Sequence, residues 1–92
     1  MKASALNNFT DVSIIITNYN YEKYIARCIR SCLSQKDVNV EVIIVDDCST
    51  DSSIELIKQL NLKIIKIIMN KENIGQSFSI YKGASAAKNK IL

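Results

Sequence analysis

Two adjacent carboxylates, Asp46 and Asp47, directly follow an apolar run at residues 42–45. In open α/β sheets, ligands bind beyond the carboxyl ends of the strands, where loops and helix N-termini present polar groups. The chain contains no histidine, which removes the commonest general base, so any chemistry has to use carboxylates, lysine or a metal ion. Asp46 and Asp47 are therefore the first candidates for function.

The cysteines do not indicate a metal site or a disulfide framework. The chain has three cysteines, Cys28, Cys32 and Cys48, which is an odd number, and they lack the paired spacing of metal ligands. Because the chain has no histidine, a Cys/His zinc site is excluded. This pattern indicates a reducing, cytoplasmic setting. Cys28 and Cys32 lie four residues apart on the predicted apolar face of a helix, so we expect both side chains to be buried in packing.

The composition is that of one small packed domain. The chain has 92 residues, of which 48% are hydrophobic and 23% charged, and its net charge of +3 comes from scattered basic residues. The absence of a basic run argues against nucleic-acid binding. The longest apolar runs fall far short of the roughly 20 residues that span a bilayer, and residues 1–11 are too polar for a signal peptide. We therefore expect no membrane-spanning segment.

Strand and helix patterns alternate along the chain. The predicted strands are short, mostly β-branched runs at residues 12–17, 40–45 and 63–69, with a fourth beginning at residues 90–92. The predicted helices are residues 21–34, a second helix that follows a capping box from Ser52 to Glu55, and a third with apolar residues from Phe78 to Ala87. The resulting order is βαβαβα, followed by the start of a strand.

This order predicts a three-layer α/β/α fold with a parallel sheet, right-handed crossovers and helices on both faces. Strands that are buried on both faces explain why the runs are β-branched throughout rather than alternating with polar residues. We assign residues 1–11 to an N-terminal extension and residues 12–92 to one partial domain. Because the fourth predicted strand has barely begun at Leu92, we interpret the chain as part of a longer protein.

Four motifs carry a resemblance to a known family. They are Ser13-Ile-Ile-Ile-Thr-Asn-Tyr-Asn20, Tyr24-Ile-x-x-Cys-Ile-x-Ser-x-Leu-x-Gln35, Val42-Ile-Ile-Val-Asp-Asp-Cys-Ser-Thr-Asp-x-Ser53 and Asn73-Ile-Gly75. In this order and spacing, they resemble the nucleotide-binding half of the family 2 glycosyltransferases over about residues 11–92. The resemblance implies the Rossmann-like half of a GT-A fold. It also implies transfer of a sugar from a nucleotide-diphosphate sugar, with UDP as the expected nucleotide, to a saccharide or lipid acceptor in cell-envelope polysaccharide synthesis.

The resemblance also implies roles for residues after the first two strands. Thr17 and Tyr19 fall where the family places a loop against the nucleoside, with the aromatic ring packed on the base; the alternative for Tyr19 is a solvent-facing loop position. Asp47 matches the position that accepts a hydrogen bond from the base, typically from N3–H of uracil. Asp46 either supports the loop or the nucleotide, or it serves as a helix cap and satisfies a turn.

The segment before the third helix has two interpretations. Asn73 and Gly75 resemble the family loop whose backbone amides approach the sugar or the phosphates, while Gly75 is equally suited to a turn with positive φ. Some relatives have an arginine near Gln76 and this chain has none, which leaves the phosphate contact without an assigned residue. Ser49, Thr50 and Asp51 lie in the same loop as Asp47, and we expect them to be helix caps rather than ligands.

The resemblance places the metal-binding acidic motif beyond Leu92. Mg²⁺ or Mn²⁺ is expected for the full-length enzyme, which we place in the cytoplasm or at the inner face of the membrane. Within the 92 residues we expect no metal ligands, no catalytic residue and no transferase activity. A fourth strand that is cut short should also leave residues 12–17 as an apolar sheet edge, so we expect self-association through this edge.

Two other classes remain as alternatives. A phosphoacceptor receiver domain, or another flavodoxin-like module that binds phosphate or nucleotide, also uses acids at strand ends, although its acidic pair usually follows the first strand. Here the first strand ends in Thr17-Asn-Tyr-Asn20. The other alternative is a non-catalytic piece that binds nucleotide or self-assembles. A Rossmann dinucleotide domain is less favoured, since no Gly-x-Gly-x-x-Gly is present.

Overall fold

The strands form one parallel sheet. In the computed structural model, which describes residues 10–34 and 38–91, the strands are β1 (Thr10–Asn18), β2 (Val38–Asp46), β3 (Ile65–Met69) and β4 (Lys90–Ile91). Their order in the sheet is β3-β2-β1-β4, and every neighbouring pair is parallel. Asn18 pairs with Asp46, and Asp46 pairs with Met69. The loops that follow β1, β2 and β3 therefore leave the sheet side by side.

The helices are α1 (Ile25–Leu33), α2 (Ser53–Gln59) and α3 (Gln76–Ala86). The prediction that the first helix starts at residue 21 is wrong, because a turn precedes it in which Tyr24 N and Ile25 N both donate to Tyr21 O at 2.9 Å. The predicted capping box is also wrong, because Ser52 makes no capping hydrogen bond with its side chain. Asp51 Oδ1 instead accepts the Ser53 amide at 2.9 Å.

One face of the sheet packs against α1 and α2. Alternate residues of β1 and β2 form this buried core with apolar side chains of the two helices. The buried members are Ile16, Val42 and Ile44 from the strands, Ile25 and Ile29 from α1, and Ile57 from α2. These residues explain the β-branched pattern of the strands, since they fill the inner layer.

The other face of the sheet is covered by α3. Gly83 lies so close to the sheet that a Cβ atom at this position would be 2.5 Å from Ile15 Cγ2 and 3.1 Å from Val45 Cγ2. Its missing side chain lets the helix approach the strands. Helices on both faces confirm the predicted three-layer α/β/α architecture.

The edge beside β1 is covered only in part among the described residues. β4 pairs with Val12 and Ser13 and with no later position of β1. A polar cluster holds the chain that leads to β4: Glu41 Oε1 accepts Ser13 Oγ at 2.7 Å and Lys88 N at 3.3 Å, and Glu41 Oε2 lies 3.0 Å from Lys66 Nζ. The hydrogen bond from Ser13, followed by that from Lys66, lowers the pKa of Glu41 to about 2.

Two further predictions need correction. β1 begins at Thr10, so residues 10 and 11 belong to the sheet rather than to an N-terminal extension; the rest of that predicted extension, residues 1–9, lies outside the described residues, as does Leu92. Cys28 is exposed and only Cys32 is half-buried, because Cys28 lies at the side of α1 rather than on the face that meets the core. Burial, followed by the neighbouring Cys28, raises the pKa of the Cys32 thiol.

Candidate functional site

A cavity of about 410 Å³ opens at the carboxyl ends of β1 and β2, on the side of the sheet that α3 covers. Its lining consists of Thr17, Asn18, Tyr19, Tyr21, Asp47, Asn73, Gly75, Gln76 and Ser79. Of the six residues predicted to bind nucleotide, Asp46 is the one absent from this lining. The structure therefore brings Thr17, Tyr19, Asp47, Asn73 and Gly75 together around one space.

Asp47 is the charged group of this cavity. Its side chain is 5% exposed, and its oxygens accept three hydrogen bonds from the chain between β3 and α3. Oδ1 accepts Ile74 N at 2.7 Å and Asn70 Nδ2 at 3.0 Å, and Oδ2 accepts Gly75 N at 2.9 Å. The hydrogen bond from the Ile74 amide is the main cause that lowers the pKa of Asp47, with help from Asn70, Gly75 and the charge of Lys82.

These contacts leave Asp47 one accepting position toward a ligand. An ionised carboxylate offers about four lone-pair sites and no donor. Oδ1 already has two partners and Oδ2 has one. A ligand in the cavity would thus meet a fixed, ionised acceptor at Oδ2, which suits an N–H or O–H group and disfavours another acceptor.

Asp46 has a different role from its neighbour. Successive side chains of a strand point to opposite faces, and Asp46 lies on the face of the sheet that α1 and α2 cover. Its Oδ1 accepts Asn18 Nδ2 at 2.7 Å and Ser49 Oγ at 2.6 Å, and its Oδ2 accepts Ser49 N at 2.9 Å. These contacts include satisfaction of the turn after β2 by Asp46, and a role of Asp46 in nucleotide binding stays a prediction.

The loop after β1 is tied to the loop after β2 by Asn20. Asn20 has a φ of 57°, and its Oδ1 accepts Thr50 N at 2.7 Å and Asp51 N at 3.2 Å. In return, Ser49 Oγ accepts Asn20 N at 3.0 Å. Besides its bond to Ser53, Asp51 also binds the Glu22 amide. These contacts hold the chain that carries Tyr19 and Tyr21, which are 45% and 54% exposed, at the cavity wall.

The chain turns at Gly75 before α3. Gly75 has a φ of 91° and its amide donates to Asp47, so it forms a positive-φ turn. Asn73 Nδ2 lies 3.4 Å from Asp47 O. The approach of this segment to the sugar or the phosphates stays a prediction.

Asn70 and Ser79 are site residues that the sequence analysis missed. Both side chains are buried, and Asn70 Nδ2 donates to Ser79 Oγ at 3.1 Å as well as to Asp47. Asn70 directly follows β3, and a polar residue at the end of a parallel strand is the same signal that pointed to Asp47. Ser79 carries no such signal, since an isolated serine within a helical pattern is usually solvent-facing.

Comparison with known proteins identifies the family of this chain. The family described as glycosyl transferase family 2 matches residues 13–92. The chain belongs to this family. Two curated relatives of this family 2 chain are an uncharacterised glycosyltransferase of Nostoc sp., 40% identical over 88% of the chain, and the succinoglycan biosynthesis protein ExoO of Rhizobium meliloti, 32% identical over 98% of the chain. The chain spans 26% of the length of each of these relatives.

Solved structures agree with the family assignment. Staphylococcus aureus TarS matches 90% of the family 2 chain, and 26% of its own, with a TM-score of 0.80 and 28% identity. The mannosyltransferase PcManGT of Pyrobaculum calidifontis, solved with GDP-mannose and Mn²⁺, matches 84% of the chain and 24% of its own with a TM-score of 0.76. Its identity of 19% shows the fold alone. The predicted resemblance and the GT-A fold are confirmed.

A divalent cation does not fit the part of this family 2 chain that the structure describes. Across residues 10–34 and 38–91, no three side chains of metal-ligand type converge. Asp46 and Asp47 lie on opposite faces of the sheet, and their oxygens accept N–H and O–H groups. A receiver-type site, in which paired acids share one cation, is therefore not formed by these two residues.

None of the helices within residues 10–34 and 38–91 has the length and hydropathy that a bilayer span requires.

Proposed function

We propose that this chain is the nucleotide-binding part of a glycosyltransferase that uses a UDP-sugar as its donor. The observation that carries the proposal is the buried, ionised Asp47, which lines the cavity and has an accepting position left on Oδ2. Family membership supplies the reaction class, and the relative ExoO, a succinoglycan biosynthesis protein, supports a role in polysaccharide synthesis. The acceptor in this proposal is a saccharide or lipid of the cell envelope.

The proposed binding mode places the nucleobase between Tyr19 and Asp47. An exposed aromatic ring at the cavity wall offers a stacking surface, and base–aromatic stacking contributes about 1–3 kcal/mol in nucleic-acid systems. Asp47 Oδ2 accepts N3–H of uracil, while Thr17 offers one hydroxyl to the nucleoside. Cytosine presents an acceptor at N3, so the same carboxylate disfavours it. Asn73 and Gly75 form the wall next to the sugar and the phosphates.

We assign the remaining parts of catalysis to residues outside this site. Mg²⁺ or Mn²⁺, which neutralises a diphosphate leaving group in metal-assisted transfer, would be held by residues outside the site described above. We accordingly propose that the 92 residues alone bind nucleotide without turning over a sugar nucleotide, in the cytoplasm or at the inner face of the membrane. We also propose self-association through β1. Among the described residues, β4 pairs with Val12 and Ser13 of β1 and with no later position of that strand.

The proposal is tested by calorimetric titration of the chain with UDP, CDP and GDP. UDP should bind more tightly than CDP, and Asp47→Ala should abolish this preference; GDP, whose base also presents N–H donors, shows whether the cavity admits a purine. Ser77→Ala, a change at an exposed position of α3, is the matched control and should bind as the unmodified chain does. Equal binding of the three nucleotides, or a preference for UDP that survives Asp47→Ala in a folded sample, would contradict the proposal.

A further inference from the structure

Asn70 connects the cavity to α3 through hydrogen bonds at both ends of its amide. Nδ2 donates to Asp47 Oδ1 at 3.0 Å and to Ser79 Oγ at 3.1 Å, while Oδ1 accepts Lys82 Nζ at 2.9 Å. A carboxylate only accepts and an ammonium group only donates, so the two charged partners allow one orientation of the amide. The side chain is 5% exposed, and water cannot replace these partners freely.

Lys82 reaches Asp47 through this amide rather than directly. The ion pair identified among the described residues joins Lys66 to Glu41, and Lys82 Nζ donates to Asn70. An ammonium group on the carbonyl end of an amide polarises the N–H groups at the other end, which strengthens their bond to a carboxylate. The positive charge of Lys82 on α3 therefore acts on the buried Asp47 carboxylate through the Asn70 amide.

We propose that Asn70 is a positioning residue that fixes the Asp47 carboxylate for recognition of a nucleobase, and that Lys82 holds Asn70 in place. The inference rests on the proposed nucleotide-binding function and adds the origin of its base selectivity. With Ile74 N and Asn70 Nδ2 both on Oδ1, Oδ2 is the oxygen left to face the ligand. Without Asn70, Oδ1 regains a free accepting position, so the carboxylate can present two accepting oxygens to a ligand instead of one.

The test measures the ratio of the dissociation constants of CDP and UDP, because both ligands carry the same phosphates and differ at the base. The variants are Asn70→Asp, Lys82→Met and Lys82→Arg, and the charge-matched control is Lys71→Met, at an exposed position next to Asn70. Circular dichroism and the unfolding midpoint establish that each variant is folded. Lys82→Met should reduce the ratio and Lys82→Arg should restore it, while Lys71→Met should leave it unchanged.

Asn70→Asp gives a readout that a purely structural role would not produce. The new carboxyl faces Asp47, and two carboxyls at this distance share one proton. With both carboxyls ionised, as at about pH 8, the ratio should fall about tenfold, and it should recover at an acidic pH below the pKa of the pair, where the shared proton restores a donor to Asp47. The unmodified chain should keep its ratio over this range, since the pKa of Asp47 lies below its ordinary value.

The other titratable groups around Asp47 are the same in the unmodified chain and in Asn70→Asp, so comparison of the two chains cancels their contribution. They are Cys48 in the loop after β2, Lys82 on α3, Tyr19 and Tyr21 in the loop after β1, Lys71 and Glu72 in the loop after β3, and Asp46 on the opposite face of the sheet. The pH dependence of Asn70→Asp therefore reports the carboxyl pair itself.

Each outcome decides between the two proposals. If the unmodified chain shows no preference for UDP, the proposed function fails and this inference fails with it. If the preference is present but Asn70→Asp and Lys82→Met keep the original ratio at both pH values, only the positioning role is overturned. Equal losses of UDP and CDP affinity without recovery at low pH would also overturn it.

Discussion

Asn18 and Asp46 lie at paired positions at the ends of β1 and β2, and Asn18 Nδ2 donates to Asp46 Oδ1 at 2.7 Å. Both side chains are buried. Ser49 Oγ accepts a second hydrogen bond from Asn18 and donates to Asp46. These three hydrogen-bonded side chains lie at the end of the sheet, next to the loops that carry Tyr19 and Asp47. We therefore expect the loss of these bonds to change the geometry of the cavity.

The Asn18–Asp46 pair provides the first prediction. Asn18→Ala should lower the free energy of unfolding by about 1–3 kcal/mol, because it removes a buried donor to a carboxylate. Asn39→Ala is a matched control: Asn39 Nδ2 donates to Asp11 Oδ1 at 2.9 Å at the other end of the same two strands, but this pair is exposed. Its cost should stay below about 0.5 kcal/mol. If urea denaturation shows that Asn18→Ala and Asn39→Ala lower the free energy of unfolding equally, burial does not determine what these hydrogen bonds contribute.

The loop contact of Asn20 gives a prediction about binding. Asn20→Ala removes the acceptor for the Thr50 and Asp51 amides, so the chain carrying Tyr19 should become mobile and UDP should bind about tenfold more weakly, which is the effect of losing about 1.4 kcal/mol. Asn20→Asp keeps an oxygen at this position and should lose less affinity. Calorimetric titration of the two variants measures the difference. The idea is rejected if Asn20→Ala binds UDP as tightly as the unmodified chain.

Gly83 gives a prediction about packing. Gly83→Ala places a methyl group 2.5 Å from Ile15 Cγ2, so α3 has to move away from the sheet. Overpacking of this kind typically costs about 1–3 kcal/mol, although alanine favours the helix. Ser77→Ala, at an exposed position of the same helix, should change the free energy of unfolding by less than about 0.5 kcal/mol. Thermal and urea unfolding would show whether Gly83→Ala loses more unfolding free energy than Ser77→Ala.

Glu41 gives a prediction about pH. Its pKa is lowered from an ordinary value of 4.5 to about 2, chiefly by the hydrogen bond from Ser13. A lowered pKa in the folded state means that the carboxylate stabilises the fold above about pH 4.5 and that this stabilisation is lost as the pH falls toward 2. Glu41→Gln lacks this titration, so the unmodified chain should be the more stable near neutrality and the difference should shrink on acidification.

Urea unfolding at several pH values between these limits measures this narrowing. A difference in unfolding free energy between the unmodified chain and Glu41→Gln that stays constant over the acidic range would show that Glu41 titrates normally in the folded state.

Local sequence patterns were enough to predict the alternation of strands and helices, the parallel sheet and the position of the site at its carboxyl edge. Each of these depends on local patterns: β-branched runs predict strands, and polar residues after them must gather where parallel strands end. The family motifs lie on the same segments, and for this reason Thr17, Tyr19, Asp47, Asn73 and Gly75 could be named before the structure and are found around one cavity.

The side of the sheet that each polar group faces, and the partner that it binds, depend on how the helices pack on the strands. Alternation along a strand separates Asp46 from Asp47, but only the placement of α3 over one face of the sheet makes Asp47 the residue of the cavity. Asn70 acquired its role in the same way, because its partners Asp47 and Lys82 lie 23 and 12 residues away in the chain. Hydrogen bonds between distant segments depend on how helices pack on the sheet, and local sequence patterns do not encode that packing.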